Sequence, residues 1–222
     1  MTDWAAQARR EEERYRDGQG RLPDVEDHDV RQRQLTRMGN AAGGAGLAQL
    51  MAGNTESAQE WFAKAVARYR ESWEHAPAGS WGRPIGILKA RVLAGDWDGS
   101  AADARWTLEQ GAAEAQSPIG RYAACLALLV LGDDEEARVL ADGLRTHGDF
   151  PSSVGDALAM IAADDPVGYI EAVEAVLESF ETRDEYLEDL PVADTVMVLQ
   201  ALAARRAMAA ELTSPLLPTA AG

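Results

Sequence analysis

The sequence has one cysteine, Cys125, only two lysines, Lys64 and Lys89, and no long hydrophobic run. A single cysteine excludes an internal disulfide and is typical of a protein in a reducing compartment. The longest apolar run, 123–131, is far shorter than a bilayer crossing requires. No signal-peptide pattern opens the chain, so we expect a cytoplasmic protein without a membrane partner.

Positive charge is scarce as well, because 37 Asp and Glu residues face 21 Lys and Arg residues and the net charge is −16. This balance argues against a nucleic-acid partner, since affinity for phosphates comes from basic side chains. Scarce lysine, 42 alanines and high acidity fit two hypotheses: a halophilic protein, whose carboxylates need salt to screen their repulsion, or an ordinary protein encoded by a GC-rich genome. Unfolding in low KCl would distinguish them.

What the chain does contain is helix-forming sequence. Alanine, leucine, glutamate and arginine abound, and apolar residues recur every three or four positions, so we predict an all-α protein. We expect a single domain over 1–212, followed by a frayed tail at 213–222. Its predicted parts are an N-terminal helix with an acidic turn at 1–29, helical hairpins at 30–70, 84–109, 119–144 and 154–180, and a capping helix at 191–212.

The predicted hairpins share a turn. Gly53, Gly95 and Gly132 each separate two helical segments and lie 42 and 37 residues apart, while the fourth turn is 164–166, Asp-Asp-Pro. Helix pairs that recur at such intervals bury their apolar faces against neighbouring pairs. We therefore predict a stack of helical hairpins.

Small and apolar residues follow two of these turns at positions five, nine and twelve: Ala58, Phe62 and Ala65 after Gly53, and Ala137, Ala141 and Leu144 after Gly132. This spacing, with Gly46 in the first helix, resembles the tetratricopeptide repeat over about residues 35–145. The resemblance implies an α–α superhelix, a right-handed stack of antiparallel hairpins. The turns here lie further apart than the family's period of about 34 residues, so we expect an irregular array.

The resemblance also implies a concave groove, lined by the first helix of each hairpin, in which a protein or peptide partner binds. The residues that map to this groove are Asn40, Leu47, Met51, Ile85, Lys89, Tyr122 and Leu126. Relatives that clamp a peptide carboxylate have lysine and asparagine where this chain has Gly43 and Leu47, so that activity is not carried over. We expect Arg83 and Arg121 to orient the partner and Trp81 to act as an exposed anchor.

An apolar groove must be covered, and two covers are open. One is a partner, including a second copy of the chain in a homodimer. The other is the chain's own terminal helices, through Trp4, Ala8 and Tyr15 or through the last helix. Gly39, Gly43 and Gly46 predict close helix packing on one side of the second helix.

No catalytic residues, cofactor or metal site emerge. His28, His75 and His147 lie in different segments, and Cys125 lies in an apolar stretch that should raise its pKa and leave it unreactive. The acidic run 24–29 is a weak cation candidate and is better explained as a solvated turn.

Three hypotheses follow. The leading one is a non-catalytic protein-binding module that acts as an adaptor or assembly factor. The alternative is a metal- or small-molecule-dependent enzyme or sensor with a pocket inside the helical array. A self-associating structural protein is the third.

Overall fold

The computed structural model describes residues 2–22 and 25–219, and within these ranges the chain is helical with no β-strand. The helices are α1 (Trp4–Arg21), α2 (His28–Met51), α3 (Thr55–Trp73), α4 (Gly82–Leu93), α5 (Trp97–Glu109), α6 (Pro118–Leu131), α7 (Asp134–Arg145), α8 (Ser152–Ala162), α9 (Pro166–Glu181) and α10 (Asp194–Ala204), with a 3₁₀ turn at Leu187–Asp189 before α10. The all-α prediction is confirmed. Within the described ranges, no helix combines the length and the apolar character needed to cross a membrane.

The chain forms two compact units. Unit 1 contains the described residues up to Gly95 together with 185–192 and 215–219, and unit 2 contains Asp96–Asp184 and Ala193–Ser214. Helices that follow one another in sequence pack together within each unit, as a stack of hairpins requires. The predicted hairpin 84–109 contributes α4 to unit 1 and α5 to unit 2.

In unit 1, α2 packs between α1 and α3, and α4 packs on α3. A Cβ atom on Gly39 would come within 2.7 Å of the Tyr69 ring, and one on Gly46 within 2.7 Å of the Phe62 ring. These glycines therefore let α3 approach α2 closely, as predicted. Gly43 differs, because a Cβ atom there would meet nothing within 4 Å.

In unit 2, α5 to α9 pack one on the next, and α10 packs on α8 and α9. Helix α6 is buried without interruption from Tyr122 to Val130. Its apolar residues therefore face neighbouring helices on every side.

The turns between paired helices share one backbone conformation. Gly53, Gly95 and Gly132 all have positive φ, between 70° and 85°. Asp164 adopts φ 52° at the fourth turn. The N–H of Asp165 donates to the carbonyl of Met160 (3.1 Å), as the N–H of Asp133 donates to that of Leu128 (3.0 Å). An aspartate thus takes the left-handed position that glycine holds elsewhere.

The last helix is shorter than the predicted 191–212. It spans Asp194–Ala204, and the chain then turns back through Ala207, whose φ is 56°. The Gln200 side chain holds this return, donating to the carbonyl of Ala210 (2.6 Å) and accepting from its N–H (3.0 Å). In the predicted frayed tail, Leu216 is buried, and residues 220–222 lie outside the described ranges.

Candidate functional site

In unit 1, α2 presents three sides. Gly39 and Gly46 face α3, and Gly44 faces α1, where a Cβ atom would lie 3.1 Å from Cγ of Glu11. Asn40 and Leu47 fall between these directions, because helical residues seven apart share one side. The predicted groove stripe is therefore a distinct side of α2.

Part of the predicted groove in unit 1 is accessible. Leu47 and Met51 on α2 and Ile85 and Lys89 on α4 are half-buried, and α2 and α4 are neighbours. The position of a Cβ atom on Gly43 opens onto free space. We name Gly43, Leu47, Met51, Ile85 and Lys89 the α2–α4 face.

The groove residues predicted in unit 2 are core residues. Leu126 is 1% exposed and Tyr122 is 7% exposed, with the Tyr122 ring 5.4 Å from that of Phe150. The prediction that they line a partner-binding groove is therefore wrong. Helices α5, α7 and α8 all pack on α6 and cover the face on which these side chains lie.

Trp81 is buried too, at 8% exposure, so the prediction of an exposed anchor is wrong. Its ring lies 5.4 Å from that of Trp73. The loop before α4 brings Trp81 back over the end of α3, where the large apolar ring is removed from water.

The two predicted orienting arginines are bound within their own units. The Arg83 guanidinium donates to Oε1 of Gln32 and to Oγ of Ser72 (3.2 Å), and burial lowers its pKa. The Nε of Arg121 donates to the carbonyl of Ala115 (3.2 Å). Arg83 therefore links α4 to α2 and α3.

A polar cluster lies at the Asn40 end of the stripe and gathers side chains that are far apart in sequence. Nδ2 of Asn40 donates to Oε1 of Glu188 (3.0 Å), and the Arg14 guanidinium pairs with Oε2 of the same carboxylate. Nη2 of Arg10 donates to the backbone carbonyl of Glu188 (2.6 Å). We name Arg10, Arg14, Asn40 and Glu188, with Glu11, the Glu188 cluster.

A second carboxylate anchors the arginines of this cluster. Glu11 is fully buried, and its oxygens accept from Nε of Arg10 (2.9 Å) and Nη1 of Arg14 (2.8 Å). Burial raises the Glu11 pKa, the negative charge of Glu188 adds to the increase, and the two arginines oppose it. The cluster therefore holds two carboxylates against two guanidinium groups.

The first helix covers part of unit 1. Ala8 and Tyr15 are buried, and the Tyr15 ring meets that of Trp61 edge-on at 5.5 Å. Trp4 is half-buried. Helix α1 packs on α2 beside the stripe, and Glu188 in the segment 185–192 accepts a hydrogen bond from Asn40.

Two histidines that are distant in sequence come together. The rings of His28 and His75 lie 4.9 Å apart, because antiparallel packing brings the start of α2 to the end of α3. Among the residues described, no group of three or more histidine, cysteine, aspartate or glutamate side chains could hold a metal ion. Part of the acidic run 24–29, Asp24, lies outside the described ranges.

Cys125 is fully buried in α6, and burial raises its pKa to about 12. The predicted burial and the predicted direction of the pKa shift are confirmed. A thiol with this pKa carries almost no thiolate at neutral pH.

Comparisons with family models, with curated proteins and with solved structures returned no match. The tetratricopeptide resemblance therefore stays a prediction from the residues quoted above.

Arg10, Arg14 and Glu188 are not among the site residues predicted from the sequence. The arginines lie one turn apart on α1 and so share one side, which is a local signal. Glu188 is 174 positions beyond Arg14 in a run of acidic residues, where nothing in the local pattern distinguishes it from Glu185.

Proposed function

We propose that this protein is a non-catalytic helical-repeat module that binds a protein or peptide partner through the α2–α4 face, as an adaptor or assembly factor. The observation that supports the proposal is the incomplete burial of the apolar side chains on that face. Its apolar side chains, Leu47, Met51 and Ile85, are half-buried, and the Cβ position of Gly43, one turn before Leu47 on α2, is open, although these helices pack closely elsewhere.

Such a face suits a short apolar segment of a partner. Half-buried leucine, methionine and isoleucine side chains gain when the rest of their apolar surface is removed from water, and Met51 adapts to different shapes. Lys89 adds a positive charge in an acidic molecule, and charge of this kind selects the partner's orientation.

Other exposed apolar side chains are more scattered. Val139 on α7 is 73% exposed, and Val167 and Ile170 lie on the acidic outer side of α9. Isolated exposed apolar residues are normal for protein surfaces, so they serve better as controls.

The proposal is tested with peptides selected from a random display library on the full-length protein. Leu47→Ala and Ile85→Ala should each weaken the selected peptides at least fivefold, since buried apolar anchors carry most of the binding energy. Val139→Ala is the matched control and should leave affinity unchanged. Circular dichroism verifies that each variant is folded.

Folded Leu47→Ala and Ile85→Ala variants that bind every selected peptide as the wild type does would refute the proposal. Loss of binding in Val139→Ala alone would move the binding surface to unit 2.

A further inference from the structure

The geometry of the Glu188 cluster points to a second role: Arg10, Arg14 and Asn40 form a recognition site for a glutamate side chain, which Glu188 fills as an internal ligand that an acidic partner peptide can displace. This inference rests on the proposed function in one respect, because Asn40 begins the stripe that continues into the α2–α4 face.

The three donors are held in place without Glu188. Arg10 and Arg14 are fixed by the buried Glu11 carboxylate, at 2.9 and 2.8 Å. The amide of Asn40 is oriented by the Tyr69 hydroxyl, which donates to its Oδ1 (2.8 Å). Because α1 and α3 supply these supports, the site keeps its shape when Glu188 leaves, and a preformed site favours binding.

The three donors bind the backbone carbonyl of Glu188 as well as its carboxylate, so they fit a glutamate residue within a peptide. Arg14 and Asn40 take the two side-chain oxygens of Glu188, and Arg10 takes its backbone carbonyl. A glutamate within any extended or turned peptide offers the same three acceptor atoms. Two guanidinium groups and an amide suit an anionic side chain, since charge-assisted hydrogen bonds are the strong ones.

The segment that supplies Glu188 is held in an unfavourable conformation. Glu188 has φ 56° and Asp189 has φ 54°, which place two consecutive residues other than glycine in the left-handed region. Outside this 3₁₀ turn, residues 182–193 belong to no helix. Displacement would relieve this strain, while the contacts with Arg10, Arg14 and Asn40 maintain it.

An internal ligand competes at a high effective concentration because it is tethered to its site. A free acidic peptide should therefore bind the wild type weakly and bind much better once Glu188 is removed. An increase in peptide affinity on removal of Glu188 distinguishes an occupied recognition site from a purely structural contact. Removing a purely structural contact would create no affinity for the peptide.

The test uses a fluorescent peptide with the sequence of residues 184–192 of this chain, measured by anisotropy against the full-length protein. Glu188→Ala should bind the peptide at least tenfold more tightly than the wild type. Glu185→Ala, an exposed acid on the same segment, is the matched control and should behave as the wild type does. A peptide carrying Glu188→Gln should lose the affinity for the Glu188→Ala protein.

A folded Glu188→Ala protein that binds no better than the wild type, or that binds the Glu188→Gln peptide equally well, would overturn the inference. If Glu188→Ala does not fold, hydrogen exchange on the wild type decides. Millimolar peptide should speed exchange of the amides in 185–192, and unchanged exchange would overturn the inference too.

The two proposals can fail separately. Loss of affinity for the 184–192 peptide when Arg14→Ala is added to Glu188→Ala, together with a Leu47→Ala protein that binds the library-selected peptides as the wild type does, would support the carboxylate site and refute the α2–α4 face. The reverse pattern would support the face and refute the carboxylate site.

Discussion

In unit 2, α6 is buried from Tyr122 to Val130, whereas in unit 1 the corresponding first helix of a hairpin, α2, has Leu47 and Met51 only half-buried. Both helices carry apolar residues where the tetratricopeptide resemblance places a groove. The difference lies in their neighbours. Helices α5, α7 and α8 surround α6. Among the described residues, α1 and α3 pack on the other sides of α2, and the 185–192 segment meets its stripe side at Asn40.

The buried hydroxyl groups of the two units also differ in where they find a hydrogen-bond partner. In unit 2, the hydroxyl of Thr107 donates to the carbonyl of Asp103 in its own helix (2.8 Å). In unit 1, the hydroxyl of Ser72 donates to the carbonyl of Gln32 on another helix (2.8 Å), and Glu11 is fully buried against two arginines. The Ser72 hydroxyl therefore links two helices of unit 1, and in unit 2 other side chains do so, since Arg145 pairs with Asp156 (2.7 Å) and the Tyr169 hydroxyl donates to Gln200 (2.7 Å).

Alanine substitutions of Leu126 and Leu47 give the clearest test of the difference in burial between α6 and α2. Leu126→Ala should lower the free energy of unfolding by about 3 kcal/mol, because it leaves a cavity in a packed core. Leu47→Ala should cost under about 1 kcal/mol, since its side chain already meets water. Urea unfolding followed by circular dichroism measures both. Equal losses would mean that the two helices are equally buried and that unit 1 has no free face.

The glycines of α2 sharpen the comparison within unit 1. Gly46→Ala should destabilise the protein by about 1–3 kcal/mol, because the added methyl group would meet the Phe62 ring at 2.7 Å. Gly43→Ala should stabilise it by roughly 0.5–1 kcal/mol, because alanine favours a helix and the site is open. Thermal unfolding of both variants gives the sign. A destabilising Gly43→Ala would show that the α2–α4 face is covered.

Sequence alone predicted the local features of this molecule well. Helix periodicity and the turn residues around Gly53, Gly132 and Asp164 place the helices within a few residues, since both depend on near neighbours. It failed for Tyr122, Leu126 and Trp81, because an apolar residue lining a groove and one lining a core have the same local pattern. Only the set of packed helices distinguishes them.

The Glu188 cluster lay beyond sequence reasoning for a related cause. Its contacts join Arg10 and Arg14 on α1 to a turn some 170–180 positions later in the sequence. Nothing in the local sequence distinguishes Glu188 from the other acidic residues of 184–189. What selects Glu188 is the position of Asn40 and Arg14 in the folded chain. Glu11 stands out only through its burial, since it is one of three consecutive glutamates.

The burial of Glu11 predicts the smallest of these effects on the free energy of unfolding, and this effect depends on pH. The folded-state pKa of Glu11 is raised above its usual value, so the folded protein holds this proton more tightly than the unfolded chain does. The resulting stabilisation is complete below the unfolded pKa near 4.5 and is lost as pH rises through the folded pKa. Glu11→Gln keeps the neutral form at every pH, so its stability relative to the wild type should increase as pH rises from 4 towards 7.

Urea unfolding of both proteins across that range measures the trend, and Glu12→Gln, which changes a less buried acid on the same helix, is the control. If the relative stability of Glu11→Gln instead falls as pH rises, attraction to Arg10 and Arg14 outweighs the loss of hydration. The ionised Glu11 would then be a net stabilising part of the cluster.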